Sequence, residues 1–361
     1  MNDRERFLRT MNFQPVDRVP DYEFGYWAET IDRWHMEGLP QDQRTNRDIE
    51  LYFGLEGWDC HESLPIRTGL WPTLPERVLE QTARRKVVDD GMGGIYVSLS
   101  SSTPPRYLRY PLKNRDDWER LRPFFDPDTP GRFPLNWDEV AQGYKDRSYM
   151  LSVSVGSLYG WLRNWMGFEN LSIAFYKDPD WVAEMMDTLT NLWLKVLDKA
   201  LRSVQVDCST WWEDMCYSKG PLISPRLFKE FMVPRYRKVT DLLKSRGVTI
   251  NIVDCDGRIT ELVPLWLEAG INCMFPVEAR HTDIYELRER FGRRVLLMGG
   301  VDKLALMRGP EAIDAELKRL TPLLEEGGYI PMVDHRVPPE VSLANYRYYL
   351  KQKRKWIGRD E

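Results

Sequence analysis

From residue 149 onward the chain alternates short apolar runs with stretches of helical period. The runs are YMLSVSV (149–155), VDCSTWW (206–212), VTINIV (248–253), INCMFPV (271–277), RVLLM (294–298) and YIPMV (329–333). Between them the pattern predicts helices over 157–175, 179–204, after Ser224-Pro225, after Gly257, over 282–291 and over 310–325. A last helix follows Val337-Pro338-Pro339-Glu340. Asp178-Pro179 supplies an N-cap and a first-turn proline for the second of these helices. Strands spaced by single helices make parallel βαβ units. Ahead of this regular part, the pattern predicts an opening helix (Asp3–Asn12), an extended DRVPDYEFG, and helical stretches near Trp27–Glu37 and Arg44–Leu55. A Gly cluster, a period-2 run and two prolines over 87–113 read as a β-rich excursion. A helix after Asn114, the Pro-rich loop DPDTPGRFP and a helix near 136–146 complete the first part.

The apolar runs end in chemistry. Glu213-Asp214 follows the second, Asp254-Cys255-Asp256-Gly257 the third, Glu278 the fourth, Gly299-Gly300-Val301-Asp302 the fifth and Asp334-His335 the sixth. A barrel delivers functional groups to the C-terminal rim from many successive strands, whereas a doubly wound sheet gathers its site at one switch point. No GxGxxG opens a helix after the first strand and no GxxxxGK[ST] occurs. The expected architecture is α/β: a single (β/α)₈ TIM barrel over 1–361, with N-terminal helical and β-rich additions within 1–113 and regular repeats over 149–350. A length of 361 residues exceeds the roughly 250 of a plain barrel and leaves room for those additions.

Charge narrows the function classes. With 51 basic and 55 acidic residues interspersed, the chain offers no nucleic-acid face. Its five cysteines (Cys60, Cys208, Cys216, Cys255, Cys273) are odd in number and form no CxxC pair, which argues for a reducing compartment and against a disulfide scaffold or thiolate knuckle. The N-terminus lacks an apolar signal core, and no apolar stretch approaches the roughly 20 residues of a membrane helix, so a cytoplasmic protein is expected.

The candidate catalytic residues are Glu213, Asp214, Asp254, Asp256 and His335. Strand alternation points Asp254 and Asp256 the same way and Cys255 the other. Two carboxylates so close need a cation or a shared proton. They read as a metal pair, as an acid/base pair, or as caps of a helix beginning at Gly257, with Arg258 a further candidate to neutralise them. His335, one of only four histidines, reads as a ligand, a general acid/base or a packed residue. Asp254, Asp256, Glu278 and His335 together make an oxygen-rich set suited to zinc or another divalent transition metal. Glu213-Asp214, beside Trp211-Trp212, reads as a general acid of raised pKa, an N-cap of the next helix, or a partner of Lys219 or Arg235. Cys255 reads as a nucleophile, a soft ligand or a buried thiol. Tyr22, Trp212, Glu278 and Arg258 are expected at the substrate. A non-catalytic barrel would instead pair its strand-end acids with Arg258, Arg280 or Arg336.

The same residues carry a family resemblance. Asp17-Arg18-Val19-Pro20 after the first helix resembles the entry segment of the uroporphyrinogen decarboxylase superfamily, as does the order of Asp254-Cys255-Asp256-Gly257, Glu278, GRRVLLMGGVDK (292–303) and GGYIPMVDHRVPPEVSLANY (327–346). The resemblance implies a (β/α)₈ barrel with its site in the C-terminal cleft, acting either as a cofactor-free decarboxylase or as a zinc-dependent methyltransferase serving a corrinoid or a thiol. DRVPDYEFGYWAE contains nothing like the Arg-rich segment by which the decarboxylases hold porphyrinogen carboxylates. Against the methyltransferase ligand pattern His-x-Cys-Gly and a later Cys, Asp254 stands at the His, Asp256 at the first Cys and His335 at the second, with Gly257 kept. The resemblance implies methyl transfer from a small methylated, for example methoxylated, substrate to a corrinoid. Without a DxHxxG motif the chain would receive that corrinoid from a partner protein or free. A decarboxylase or lyase acting on a non-porphyrin acid is the alternative. Homodimers are common in the superfamily.

Overall fold

A computed structural model describes residues 1–56, 62–82, 85–99 and 106–359. Cys60 and positions 100–105 of the expected β-rich excursion lie outside the described residues. Thirteen strands occur among those described: β1 (Glu62–Ser63), β2 (Arg77–Gln81), β3 (Lys86–Asp89), β4 (Ile95–Ser98), β5 (Arg106–Arg109), β6 (Leu151–Gly156), β7 (Cys208–Trp212), β8 (Cys216–Tyr217), β9 (Gly220–Pro221), β10 (Asn251–Asp254), β11 (Cys273–Val277), β12 (Leu296–Val301) and β13 (Tyr329–Val333).

Seven of them form one parallel sheet in the order β1-β6-β7-β10-β11-β12-β13. Each parallel neighbour is reached through a helical crossover, as parallel pairing requires. The extended segment 21–27 meets the far end of this sheet: the Val337 amide donates to the Gly25 carbonyl, and the Trp27 amide to the Val337 carbonyl. The Val333 amide donates to the Glu23 carboxylate. The first extended segment thus lies beside the last strand, and the fold is an α/β TIM barrel.

Alternation along the strands sorts side chains into two cores. Cys208, Ile252, Phe275, Met298 and Met332 pack inside the sheet with Tyr22, and Phe7 and Met11 of the opening helix close that inner core. The opposite faces pack against the helices. The β-rich excursion is a four-stranded antiparallel sheet in the order β2-β3-β4-β5. It begins ten residues earlier than the sequence pattern marks, because β2, RVLEQ, is exposed along its whole length and so carries no apolar alternation.

Two helical expectations change. The stretch 157–175 is two helices, Tyr159–Met166 and Phe168–Lys177, parted at Gly167. There φ is +82° and a Cβ would lie 2.5 Å from the Tyr110 ring. No helix begins at Gly257; the next one is Val263–Glu268. Asp254 and Asp256 therefore cap nothing, and that reading of the pair falls away.

Candidate active site

The acids at the strand ends divide into two groups by what their oxygens hold. Glu213 is fully buried. Its Oε1 accepts from the Leu158 amide and the Tyr236 hydroxyl, and its Oε2 from the Ser157 hydroxyl and the Tyr159 and Gly160 amides. Those amides open the helix Tyr159–Met166, so Glu213 satisfies the N-terminus of the helix before it, not after it. Burial still pushes its pKa up, with the Tyr236 and Ser157 hydroxyls and the Leu158 and Tyr159 amides acting against that rise. Expected as a general acid, Glu213 is instead locked in place, with no oxygen left to face a substrate.

Glu278 is likewise committed. Its Oε2 accepts from the Gly257 amide at 2.7 Å and its Oε1 from Lys303 Nζ at 3.1 Å. Gly257 has φ +83°, and a Cβ there would lie 2.8 Å from the Tyr217 backbone, so only glycine lets this turn lie against that loop. Fully buried Asp334 accepts from the Ala279 and Lys303 amides and lies 3.5 Å from Lys303 Nζ. Lys303 ties the ends of β11 and β13 together. Burial works against its charge, but the Asp334 and Glu278 carboxylates outweigh that and raise its pKa. Glu278, expected as a metal ligand and substrate contact, is spent on this scaffold.

Asp214, Asp254 and Asp256 are left to face the mouth. One carboxylate oxygen from each lies within 4.8 Å of the others. The backbone makes this convergence. The Asp254 carbonyl accepts the Glu213 amide at 2.9 Å and the Asp214 amide at 3.4 Å, which draws the end of β7 onto the end of β10. Asp214 sits at φ +43°, a left-handed conformation that Asp tolerates better than most residues and that is enriched at functional sites. Desolvation and the Asp256 charge push the Asp214 pKa up to about 6 against the pull of Arg163. Asp254 keeps some solvent contact at the mouth but is surrounded by protein, and desolvation with the Asp214 and Asp256 charges raises its pKa well above the ordinary carboxylate value. Asp256 Oδ1 is buried without a hydrogen-bond partner among the described residues.

His335 joins the trio from β13. Its Nε2 lies 3.4 Å from Asp256 Oδ2. Burial disfavours the imidazolium, but the Asp256 carboxylate outweighs it and the pKa rises. The ring stacks on Trp27 at 5.6 Å and meets Phe24 edge-on at 5.5 Å. Trp212 is half-buried, with Arg163 over its ring at 5.7 Å.

Two further expectations are corrected, those for Tyr22 and Arg258, and for Cys255 the buried-thiol reading is the one the structure shows. Tyr22, expected at the substrate, is fully buried in the inner core and stacks on Phe7 of the opening helix. Arg258 is exposed, and among the described residues no strand-end acid pairs with it, with Arg280 or with Arg336. The arrangement expected of a non-catalytic barrel is therefore absent among them. Cys255 is a buried thiol whose sulfur accepts from the Met215 amide, and burial raises its pKa, so it is neither nucleophile nor ligand here. A groove of about 730 Å³ lies elsewhere, between the Pro127–Trp137 loop and Lys195–Lys199, and none of the site carboxylates borders it. The sequence placed Asp214 among the catalytic candidates but not in the metal set, and gave no sign of Arg163, Lys303, Phe24 or Trp27. Asp214 lies two residues beyond the Trp212–Asp254 register pair, and that pairing, which forms only in the fold, sets it beside Asp254.

The sequence matches the uroporphyrinogen decarboxylase (URO-D) family over residues 87–356. The chain belongs to that family. It is 26% identical over 370 residues to a uroporphyrinogen decarboxylase of Alcanivorax borkumensis, covering 96% of each chain. It is 24% identical over 371 residues to that of Hydrogenovibrio crunogenus, covering 96% of this chain and 95% of the other. In fold it is similar to a methyltransferase from Methanosarcina mazei, with a TM-score of 0.63 at 15% identity and 99% of each chain covered. At these identities it is a divergent member of an enzyme family. Among the described residues no helix is long and apolar enough to cross a membrane.

Proposed function

We propose that this family member is a methyltransferase that takes a methyl group from a small methylated substrate, for example a methoxylated one, and passes it to a corrinoid acceptor brought by a partner protein or free. The reading rests on one observation, the convergence of Asp214, Asp254 and Asp256 at the mouth with His335 against Asp256. The full-length likeness in fold to a methyltransferase is in keeping with it.

Demethylation leaves the bonding electron pair on a heteroatom, which needs a proton or a cation at once. The donor set fits a divalent cation: three crowded carboxylates whose mutual repulsion a cation relieves, one of them with an unpartnered buried oxygen. Asp214, Asp254 and Asp256 would hold it, with His335 beside them; an all-oxygen trio suits a harder divalent ion better than a thiolate site would, and the nearby imidazole extends the set to zinc. Bound there, such an ion supplies Lewis acidity to the leaving heteroatom. The protein's own groups supply protons. His335, charged through Asp256, is the donor at the mouth. Phe24 and Trp27 restrict water on the His335 side.

The decarboxylase names of the curated relatives favour a second reading. In it a protonated Asp254 or Asp214 delivers a proton to the carbanion left when a non-porphyrin acid loses CO₂. The test begins with metal content by mass spectrometry on untagged protein purified without chelators, wild type against Asp254→Ala and Asp214→Ala. Methylated-corrinoid formation and CO₂ release are then assayed over a panel of methoxylated and carboxylic substrates. About one equivalent of a transition metal, lost in both variants, with methyl transfer and no CO₂, is expected. A metal-free, folded wild type that releases CO₂ would overturn methyl transfer and establish the second reading.

A further inference from the structure

Two guanidinium groups stand at the rim, and they are engaged differently. Arg163 lies over Trp212, donates to the Asp214 backbone carbonyl and pairs with the Asp214 carboxylate at 3.8 Å. Arg336 lies 5.5 Å from the centroid of Trp27 and 5.8 Å from that of Phe24, and among the described residues it makes no hydrogen bond or ion pair. It is half-buried, one residue beyond His335, and its charge reaches Asp254 strongly enough to oppose the rise in that group's pKa. Phe24 and Trp27 therefore carry both the imidazole and the guanidinium of two consecutive residues.

A guanidinium whose faces lie against aromatic rings is restrained by them and keeps its in-plane N–H groups for an acceptor. Two parallel N–H donors match the two oxygens of a carboxylate. The ring surfaces beside them suit a planar apolar body. We propose that Arg336 is the anion-recognising residue of this site and that the substrate is a small aromatic carboxylic acid, its carboxylate held by Arg336 and its ring against Phe24 and Trp27. The inference rests on the trio being the active site and adds the substrate class to it. The role is specificity, not chemistry: Arg336 binds the end of the substrate remote from the leaving methyl group.

Calorimetric titration of the protein as purified, with 4-methoxybenzoate and with its neutral isostere 4-methoxybenzamide, tests this without turnover, so it can fail or succeed independently of methyl transfer. Wild type should bind the acid at least about tenfold more tightly than the amide, the size of one charge-assisted bidentate contact. Arg336→Gln should bring the ratio near one while leaving amide binding unchanged, and Arg336→Lys should keep part of the preference because charge remains without the fork. Equal affinities in wild type, no binding of either probe at millimolar concentration, or a preference retained in Arg336→Gln would overturn the inference. The last outcome would mean that Arg336 serves only to offset Asp254. Should Arg336→Gln fail to fold, the wild-type ratio and Arg336→Lys decide.

Discussion

His335 Nε2 lies 3.4 Å from Asp256 Oδ2, and this contact joins the end of the last strand to the turn after β10. It makes one member of the acidic trio the partner of the only histidine at the mouth among the described residues. The site therefore holds a charge-assisted proton donor beside two carboxyl groups of raised pKa.

Asp256→Asn should lower the His335 pKa, because the carboxylate that outweighs burial is gone. A histidine with a raised folded-state pKa stabilises the fold fully below its unfolded value near 6.5, and that contribution fades as pH rises through the folded value. The variant should thus lose stability below about pH 6.5 and match wild type in alkali. With four histidines in the chain, NMR titration of the imidazole signals reads the shift directly. An unmoved His335 titration would refute the pairing. Turnover should fall by about 10²-fold or more if His335 is the donor.

Asp214→Asn should stabilise the protein at neutral pH. A carboxyl raised from 3.8 to about 6 in the fold makes stability fall as pH climbs between those values and leaves the cost in place above them. Asn removes that cost and accepts the same positive φ. The gain at pH 7.5 should be on the order of 1–3 kcal/mol and vanish near pH 4, by urea denaturation at both pH values. A variant less stable at pH 7.5 would mean that ionised Asp214 is held by more than Arg163.

Metal affinity should rise with pH through about 6, since a ligating Asp214 must give up its proton first. Calorimetry with zinc in buffers of different ionisation enthalpy measures the proton release. A pH-independent affinity between 5 and 8 would show that Asp214 is not a ligand.

Glu213→Gln should weaken the fold by about 2–4 kcal/mol, because an amide cannot accept all five hydrogen bonds and leaves buried donors unpaired. The pH profile of turnover in the folded fraction should not move. A profile that lost a limb would return Glu213 to the chemistry.

Gly257→Ala should cost about 1–3 kcal/mol, since φ is +83° and the new methyl meets the Tyr217 backbone at 2.8 Å. It should also lower turnover, because the same turn presents Asp256 and hangs from Glu278. Denaturation midpoint and kcat measured together check this; full activity at wild-type stability would contradict the turn geometry.

Much of this protein was legible from its chain. Parallel strands must be buried on both faces and separated by crossovers, so YIPMV and INCMFPV with helical stretches between them already specify a barrel-like α/β fold, and β13 coincides with its apolar run. Polar residues just past such runs fall on the C-terminal rim by geometry alone, which is why Asp214, Asp254, Asp256 and His335 were identifiable as site candidates. Tertiary structure decided which acids remain available. Glu213, Glu278 and Asp334 look the same in sequence as the trio, yet each is consumed by backbone amides or Lys303 brought from a distant segment. Arg336 acquired its aromatic seat from Phe24 and Trp27, some three hundred residues away, for the same reason. A side chain's type and its strand position follow from local pattern, but whether its hydrogen-bonding capacity is spent or free depends on neighbours that only chain closure supplies.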